Sequence, residues 1–163
     1  MNSLIRNSVL LSVLTALLLT ASPGSAQTNP AKDFTALVDF AKRYAAAWSS
    51  QDPQELASMY SPEGSLVVND GEPAVGHEAI AAKAASFMQA FPDMKVEMVA
   101  AQKKGDGARF DWHWTGTNTG PGGTGRPVSI KGFEVWTFGE DGLILQSVGN
   151  YDQADYQRQV NPE

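Results

Sequence analysis

The C-terminal half of the chain, from Arg109 to Asp152, contains three stretches of alternating apolar and polar residues separated by glycine-rich turns. Side chains alternate between the two faces of a strand, so this pattern predicts three consecutive antiparallel strands. A further alternating stretch, 94–103, precedes them and is joined to them by the turn Gly105-Asp106-Gly107. Such a sheet needs a cover over one face, and this requirement constrains the fold of the rest of the chain.

The N-terminal half supplies the helices. A helix-start signal at Asn29-Pro30 and apolar residues at helical spacing predict an amphipathic helix over 31–50. The capping sequence at Asp52 predicts a short helix continuing to Tyr60, which Ser61-Pro62-Glu63-Gly64 ends. The apolar stripe expected on the first helix comprises Phe34, Leu37, Val38, Ala41, Tyr44, Ala45 and Trp48.

The remaining segments complete one domain. We predict a short strand at 65–69, a third helix from Gly76, strands at 109–118 and 127–138, and a terminal helix at 152–160. Helices followed by strands indicate an α+β fold, with three N-terminal helices packed on one face of a curved antiparallel sheet.

The first 26 residues differ in composition from the rest. One basic residue, Arg6, precedes the mostly apolar run Val9–Ala21, and Gly24-Ser25-Ala26 suits signal peptidase. The alternative is a membrane anchor, but the run is shorter than the ~20 apolar residues that span a bilayer. We therefore expect a signal peptide over 1–26, a mature domain over 27–163, a periplasmic or secreted location, and no membrane contact after cleavage.

Composition limits the partners. The chain has no cysteine, which excludes disulfides and lipoprotein attachment, and it has only two histidines for a metal site. The net charge is −6, the acidic residues are scattered, and no basic stripe suggests nucleic acid. The sequence contains no G-x-S-x-G, phosphate-loop or zinc-spacing motif. We expect neither a metal nor a cofactor, and no nucleic-acid partner.

Several short motifs carry a family resemblance. They are the segment 44–68 with its aromatic and acid-capped helices, Gly76–Ile80, Ala90–Met94, Trp114–Gly120, Asp141–Ile144 and Asp152. In this order they resemble the SnoaL-like polyketide cyclase group of the nuclear transport factor 2-like superfamily, over nearly all of 33–160. The resemblance implies a cone-shaped α+β barrel, a bent sheet around the first helix with a pocket at the open end. Members include cyclases, ketosteroid isomerase, epoxide hydrolases, dehydratases and non-catalytic binders, and they often dimerise through the outer sheet face.

Glu134 is the strongest candidate for chemistry. It alternates with Trp136, so we expect it on the apolar face, where desolvation would raise its pKa and suit it to acid–base work. The resemblance implies that Glu134 occupies the place of the carboxylic acid in the oxyanion hole of ketosteroid isomerase. In the cyclase, a pocket histidine occupies this place. The alternative is a rim glutamate paired with Lys131 or Arg109.

Arg109, Asp111 and His113 share the other face of their strand. The first two resemble the Arg-x-Asp pair of the superfamily's epoxide hydrolases, and His113 is a suitable base near neutral pH. The second Asp of those hydrolases, and the catalytic Asp of the cyclases, would fall at Gly149, which has no side chain. The alternative for this trio is a salt-bridged outer face.

Two functions remain. One is a cofactor-free isomerase, cyclase or hydrolase that acts on a small apolar molecule, with Glu134 as the acid or base and His113 or Asp111 in support. The other is a non-catalytic binding or interaction module that lacks the family's catalytic Asp. In either case the residues expected to bind the ligand in an aromatic cavity are Tyr44, Trp48, Tyr60, Phe87, Trp112, Trp114, Trp136 and Asn150.

Overall fold

The structure is a computed structural model that describes residues 28–161. The predicted signal peptide lies outside the described residues. The helices and strands are, in chain order, α1 (Phe34–Ser49), α2 (Pro53–Ala57), β1 (Tyr60–Val68), β2 (Ala74–Val75), α3 (Gly76–Ala90), β3 (Lys95–Lys104), β4 (Gly107–Thr117), β5 (Pro127–Phe138), β6 (Ile144–Tyr151) and α4 (Gln153–Val160). Across 28–161, no helix has the length and apolar character that a membrane span requires.

The six strands form one curved sheet in the order β2-β1-β6-β5-β4-β3, with the helices on one side. The sheet stays open rather than closing into a barrel. All neighbouring pairs are antiparallel except β1 and β6, which run parallel. The predicted α+β class and the cone-shaped arrangement are confirmed, and the parallel pair is the departure from the expected antiparallel sheet.

The first helix begins three residues later than predicted. Its N-cap is Asp33, whose carboxylate accepts a hydrogen bond from the amide of Ala36 at 2.7 Å. The expected start signal has another role: Pro30 is fully buried, and the side-chain amide of Asn29 donates to the carbonyl of Gly139 at 3.0 Å. The segment before α1 is therefore fixed against the β5–β6 turn.

The buried face of α1 also differs from the expected stripe at one end. Phe34, in the first turn, is 60% exposed, whereas Phe40 is completely buried. The ring of Phe40 packs edge-on against Trp136 and Phe138, with centroid distances of 5.7 and 5.3 Å. Helical spacing predicts which face is apolar, but it does not predict where along the helix the sheet ends.

The segment after α2 was predicted incorrectly as the end of a helix and a stop. The Asp52 cap is confirmed, but α2 ends at Ala57, and Tyr60 and the following residues already belong to β1. A register shift between Tyr60 and Ser65 bulges this strand against β6. A Cβ at Gly64 would lie 2.7 Å from the carbonyl oxygen of Ile144, so the close approach of the two strands requires glycine there.

The predicted faces of the meander are confirmed. Phe110 lies opposite Glu134 across β4 and β5, and Glu134 lies opposite Gly149 across β5 and β6. Trp112 lies opposite Gly132, and its indole ring fills the space beside that glycine. A Cβ added to Gly132 would lie 2.4 Å from the ring. These cross-strand neighbours place the large aromatic rings, the carboxyl group and an open position on the face that meets the helices.

The predicted terminal helix is also confirmed, as α4. Its N-cap Asp152 accepts from the amide of Asp155 at 2.9 Å. β6 ends before it reaches Ser129 of β5, and the side chain of Gln159 takes its place: it accepts from the Ser129 amide at 2.7 Å and donates to the Ser129 carbonyl at 3.1 Å. This contact fixes α4 against β5 and helps to place Tyr156 on Trp114, 5.9 Å between ring centroids.

Candidate functional site

A cavity lies between the inner face of the sheet and the helices. The region of it that the centre of a water-sized sphere can occupy measures about 60 Å³. This space exceeds what a single water molecule needs, so the cavity can accept a small molecule. The lining residues come from both helices and strands: Trp48, Leu66, Val68, Phe87, Met94, Val96, Trp112, Trp114, Glu134, Gly149 and Tyr151. The wall is predominantly apolar and aromatic, and Glu134 is its one charged residue.

The Glu134 carboxyl group is held by three donors from three elements. Its Oε2 accepts hydrogen bonds from the Tyr44 hydroxyl at 2.8 Å, the Trp136 indole N–H at 3.0 Å and the Ser147 hydroxyl at 2.5 Å. Glu134 is only 5% exposed, so the alternative of a rim glutamate paired with Lys131 or Arg109 is wrong. Packing against α1 and β6 therefore determines the position of the carboxyl group.

The other carboxyl oxygen, Oε1, accepts no hydrogen bond from residues 28–161. Oε1 is not one of the described buried polar atoms that lack a partner, so it is not fully buried. Glu134 also lines the cavity. The exposed part of the carboxyl group is therefore Oε1, on the cavity surface. A molecule in the cavity would meet this oxygen, while Oε2 stays engaged with the protein.

Two opposing effects act on the pKa of Glu134. Burial raises the pKa of Glu134 above its ordinary value of 4.5, and the hydrogen bonds from Ser147, Trp136 and Tyr44 lower it, with the burial effect the larger. Because Oε2 already accepts three hydrogen bonds, a proton on this group is best accommodated on Oε1. The neutral form can then donate a hydrogen bond into the cavity, and the ionised form can accept one.

Tyr60 extends this network away from the cavity. Its hydroxyl lies 2.6 Å from that of Tyr44, and because Tyr44 donates to Glu134, Tyr60 is the donor of this second bond. Burial, followed by the nearby Glu134 charge, raises the pKa of Tyr44 and that of Tyr60 well above 10.0. Both hydroxyls therefore keep their protons at neutral pH and act as fixed donors.

The predicted ligand-binding residues fall into three groups. Trp48, Phe87, Trp112 and Trp114 line the cavity. Tyr44, Tyr60 and Trp136 lie behind its wall: all three are fully buried, and they support Glu134 rather than face a ligand. Asn150 is not brought to the cavity, because it lies between Gly149 and Tyr151 on β6 and so projects from the opposite face.

Sequence reasoning missed five lining residues and one supporting group. The missed lining residues are Leu66, Val68, Met94, Val96 and Tyr151. The missed supporting group is Ser147, which has no exposed surface. Alternation with Gly149 and Tyr151 could have placed Ser147 on the inner face, but nothing local shows that β6 brings its hydroxyl to Glu134.

The structure places Asp111 and His113 on the outer face, away from Glu134. The Arg109 guanidinium donates to Asp111 from its Nε at 2.9 Å and from its Nη2 at 2.7 Å, and lies over the Phe133 ring. His113 Nε2 lies 2.9 Å from the Ser129 hydroxyl. The salt-bridged outer face therefore describes Arg109, Asp111 and His113. The structure keeps all three away from the carboxyl group in the cavity.

The described residues also contain no group of three His, Cys, Asp or Glu side chains that could hold a metal ion. The indole N–H groups of Trp112 and Trp114 are buried without a hydrogen-bond partner among 28–161. Because protein atoms cover both groups, Glu134 is the group best placed to form a polar contact with a ligand.

Residues 41–147 match the SnoaL-like domain family. No curated protein matches the chain. Among solved structures, TsrD from Streptomyces laurentii superposes with a TM-score of 0.69 at 21% identity, over 80% of this chain and 98% of that one. A protein described as a SnoaL-like polyketide cyclase from Jannaschia gives 0.65 at 16% identity, over 87% and 98%. A protein with a ketosteroid isomerase-like fold from Catenulispora acidiphila, in complex with trimethylamine, gives a TM-score of 0.67 at 19% identity, over 75% of this chain and 92% of that one. At these identities the structural likeness concerns the fold alone.

Proposed function

Because the chain belongs to the SnoaL-like domain family, we propose that it binds a small, mainly apolar molecule in the cavity and catalyses a cofactor-independent proton transfer on it. The reaction class is that of an isomerase or cyclase, with Glu134 as the acid–base group. The fold is compatible with such enzymes. One observation carries the proposal: a buried carboxyl group with one oxygen held by three protein donors and the other at the cavity surface.

The geometry suits a proton shuttle. As a carboxylate, Glu134 Oε1 takes a proton from a carbon atom beside an electron-withdrawing group of the ligand. As a carboxylic acid, it returns a proton to the same or another atom of the ligand, so the carboxyl group ends as it began. The surrounding apolar wall strengthens electrostatic interactions at the carboxyl group.

The raised pKa of Glu134 fits this role. Proton transfer is most efficient when the pKa of the catalytic group approaches the working pH, and burial moves this carboxyl group in that direction. The three donors limit the shift and hold the side chain in one orientation. Tyr44, Trp136 and Ser147 are thus positioning residues that act through Glu134.

The test is exchange of ligand hydrogen with solvent deuterium. The protein is incubated in D2O with a panel of small enolisable ketones, and ¹H NMR follows the loss of the exchangeable C–H signals. We expect exchange with at least one compound, and loss of that exchange in Glu134→Gln while binding is retained. Exchange that persists unchanged in Glu134→Gln would remove Glu134 from the mechanism.

A second function, non-catalytic binding, is favoured by Gly149. This residue faces Glu134 across the strand pair and adds no side chain, so the cavity wall contains a single carboxyl group. Reactions that need an acid and a base at the same time lack a second partner here. If binding occurs without exchange in any compound of the panel, the binding function replaces the catalytic one.

We also propose that the protein is exported, with residues 1–26 removed. N-terminal sequencing of protein from the native host should give Gln27 as the first residue. Retention of residue 1 would contradict cleavage.

A homodimer through the outer sheet face is a further proposal. The exposed apolar side chains Val99 and Leu145, at 59% and 46% exposure, support it. Size-exclusion chromatography with light scattering should give twice the mass of the mature chain, and a monomeric mass at micromolar concentration would contradict it.

A further inference from the structure

We propose that the ligand of this cavity is a small alkylammonium cation, with its positive charge beside Glu134 Oε1 and its alkyl groups against the aromatic wall. The inference rests on the proposed function in one respect, since it takes Glu134 to be the group that meets the ligand. It goes further in naming the charge and the size of the ligand.

The three donors to Glu134 stabilise its carboxylate form against the burial that raises its pKa. Hydrogen bonds donated to the charged form of an acid stabilise that form, and bonds to an ionised acceptor are the stronger kind. Glu134 receives three of them on Oε2, from Tyr44, Trp136 and Ser147. The other oxygen receives none from residues 28–161, although it lies at the cavity surface.

What the carboxylate lacks is an opposite charge. The described part of the chain forms three salt bridges, and none of them involves Glu134. The residues that line the cavity include no lysine, arginine or histidine. A buried acid without an opposite charge is neutralised by a proton or paired with a cation, and a cationic ligand would supply the second of these partners. A ligand that arrives as a neutral amine can take its proton from Glu134, which leaves a carboxylate and an ammonium ion.

The rest of the wall matches the apolar part of such a cation. Five aromatic rings line the cavity, those of Trp48, Phe87, Trp112, Trp114 and Tyr151. Aromatic rings attract organic cations through their quadrupole and also provide apolar contact for methyl groups. The cavity has more room than a single water molecule needs, so a small cation such as tetramethylammonium is a suitable probe.

The test compares two probes of equal size and different charge. Tetramethylammonium and tert-butanol each contain five non-hydrogen atoms, but only the first carries a charge. Isothermal titration calorimetry measures both against the mature domain, with sodium chloride added to the tert-butanol runs to match ionic strength. Glu134→Gln removes the negative charge while keeping an oxygen acceptor for the three donors. Glu97→Gln is the matched control, since Glu97 lies on the outer face with 76% of its side chain exposed.

We expect tetramethylammonium to bind more tightly than tert-butanol. We also expect its affinity to fall by at least about 30-fold in Glu134→Gln, the lower end of the loss when one member of a buried charge pair is removed. The control Glu97→Gln should leave both affinities unchanged. A second variant, Gly149→Val, places methyl groups beside Glu134 and should weaken both probes without changing charge.

Other outcomes separate this inference from the proposed function. If tert-butanol binds as well as tetramethylammonium, and Glu134→Gln changes neither affinity, the cavity takes neutral ligands; the cation is then overturned and the proposed binding site stands. If neither probe binds the wild-type protein but a ketone of the exchange panel does, the cation is overturned and the proposed function stands. If no probe and no ketone binds, the proposed function is overturned with the inference.

Discussion

Replacing Glu134 by glutamine should change how the free energy of unfolding depends on pH. Glutamine has nearly the same shape, and its carbonyl oxygen can occupy the position of Oε2, which accepts from Tyr44, Trp136 and Ser147. The amide cannot ionise. The variant therefore isolates the effect of ionising this one buried group.

The sign follows from the direction of the pKa shift. Burial raises the pKa of Glu134 in the folded protein above 4.5, the ordinary value expected in the unfolded chain. Between these two values the folded state binds more protons than the unfolded state, so wild-type stability falls as the pH rises through this window. The stabilisation from the protonated group is complete below 4.5 and is lost above the folded pKa.

The magnitude follows from linkage. Each unit by which the folded pKa exceeds the unfolded one contributes about 1.4 kcal/mol. Glu134→Gln lacks this contribution, so the variant should gain stability relative to wild type as the pH rises from 4 to 8. For a domain of this size, 1 kcal/mol corresponds to roughly 3–6 °C in the melting temperature.

The assay is urea denaturation at several pH values between 4 and 8, followed by tryptophan fluorescence and circular dichroism. The difference in free energy between Glu134→Gln and wild type should increase with pH, while Glu97→Gln should show no such trend. A difference that stays constant, or that moves against the variant as the pH rises, would refute the reasoning about the buried carboxyl group.

Three further predictions concern packing and the two faces of the sheet. Gly132→Ala should destabilise the fold by about 1–3 kcal/mol because its Cβ would meet an indole ring. Gly149→Ala, whose Cβ would have contacts of 3.4 Å or more, should cost less than about 1 kcal/mol and weaken ligand binding. Urea denaturation measures the stability of both variants, and calorimetry measures their ligand binding. Phe40→Ala should cost about 3–5 kcal/mol, while Phe34→Ala, on a residue 60% exposed, should stay within about 0.5 kcal/mol in the same assay. His113→Ala should leave deuterium exchange into a ligand unchanged, because the side chain lies on the outer face; a loss of more than about tenfold, or 1.4 kcal/mol, would contradict that placement.

The meander was predictable because its information is local. Strict alternation placed Phe110, Trp112 and Trp114 on one face of β4 and Glu134 with Trp136 on one face of β5, and the pairing of the two strands in the structure joins these faces. Period-2 patterning determines the face of every residue in a strand once one residue is placed. The same reasoning placed His113 on the opposite face.

The errors occurred where distant contacts determine the structure. Ser61-Pro62-Glu63-Gly64 has the composition of a turn, but parallel pairing with β6 draws it into a bulged strand. Phe34 and Phe40 both lie in a helical sequence, and Phe40 is the one that packs against the aromatic rings of β5. Tertiary packing overrides local propensity in such segments.

The site itself was only partly predictable. Glu134 could be assigned to the apolar face, but its donors come from α1, β5 and β6, and Tyr44 is 90 residues away in the chain. Gly149 could be recognised as a departure from the family pattern. Its consequence, a cavity with one carboxyl group and one open side, depends on how β5 pairs with β6.

The central claim is that Glu134 presents a buried, titratable carboxyl group to a ligand in the cavity. The most direct measurement is ¹³C NMR of protein labelled at the glutamate side-chain carboxyl carbon, with the Glu134 signal identified by its absence in Glu134→Gln. We predict that this signal titrates above 4.5, the ordinary value for glutamate, and that it shifts when a bound ligand saturates the cavity. A signal that titrates at or below that value and does not respond to a bound ligand would contradict the account.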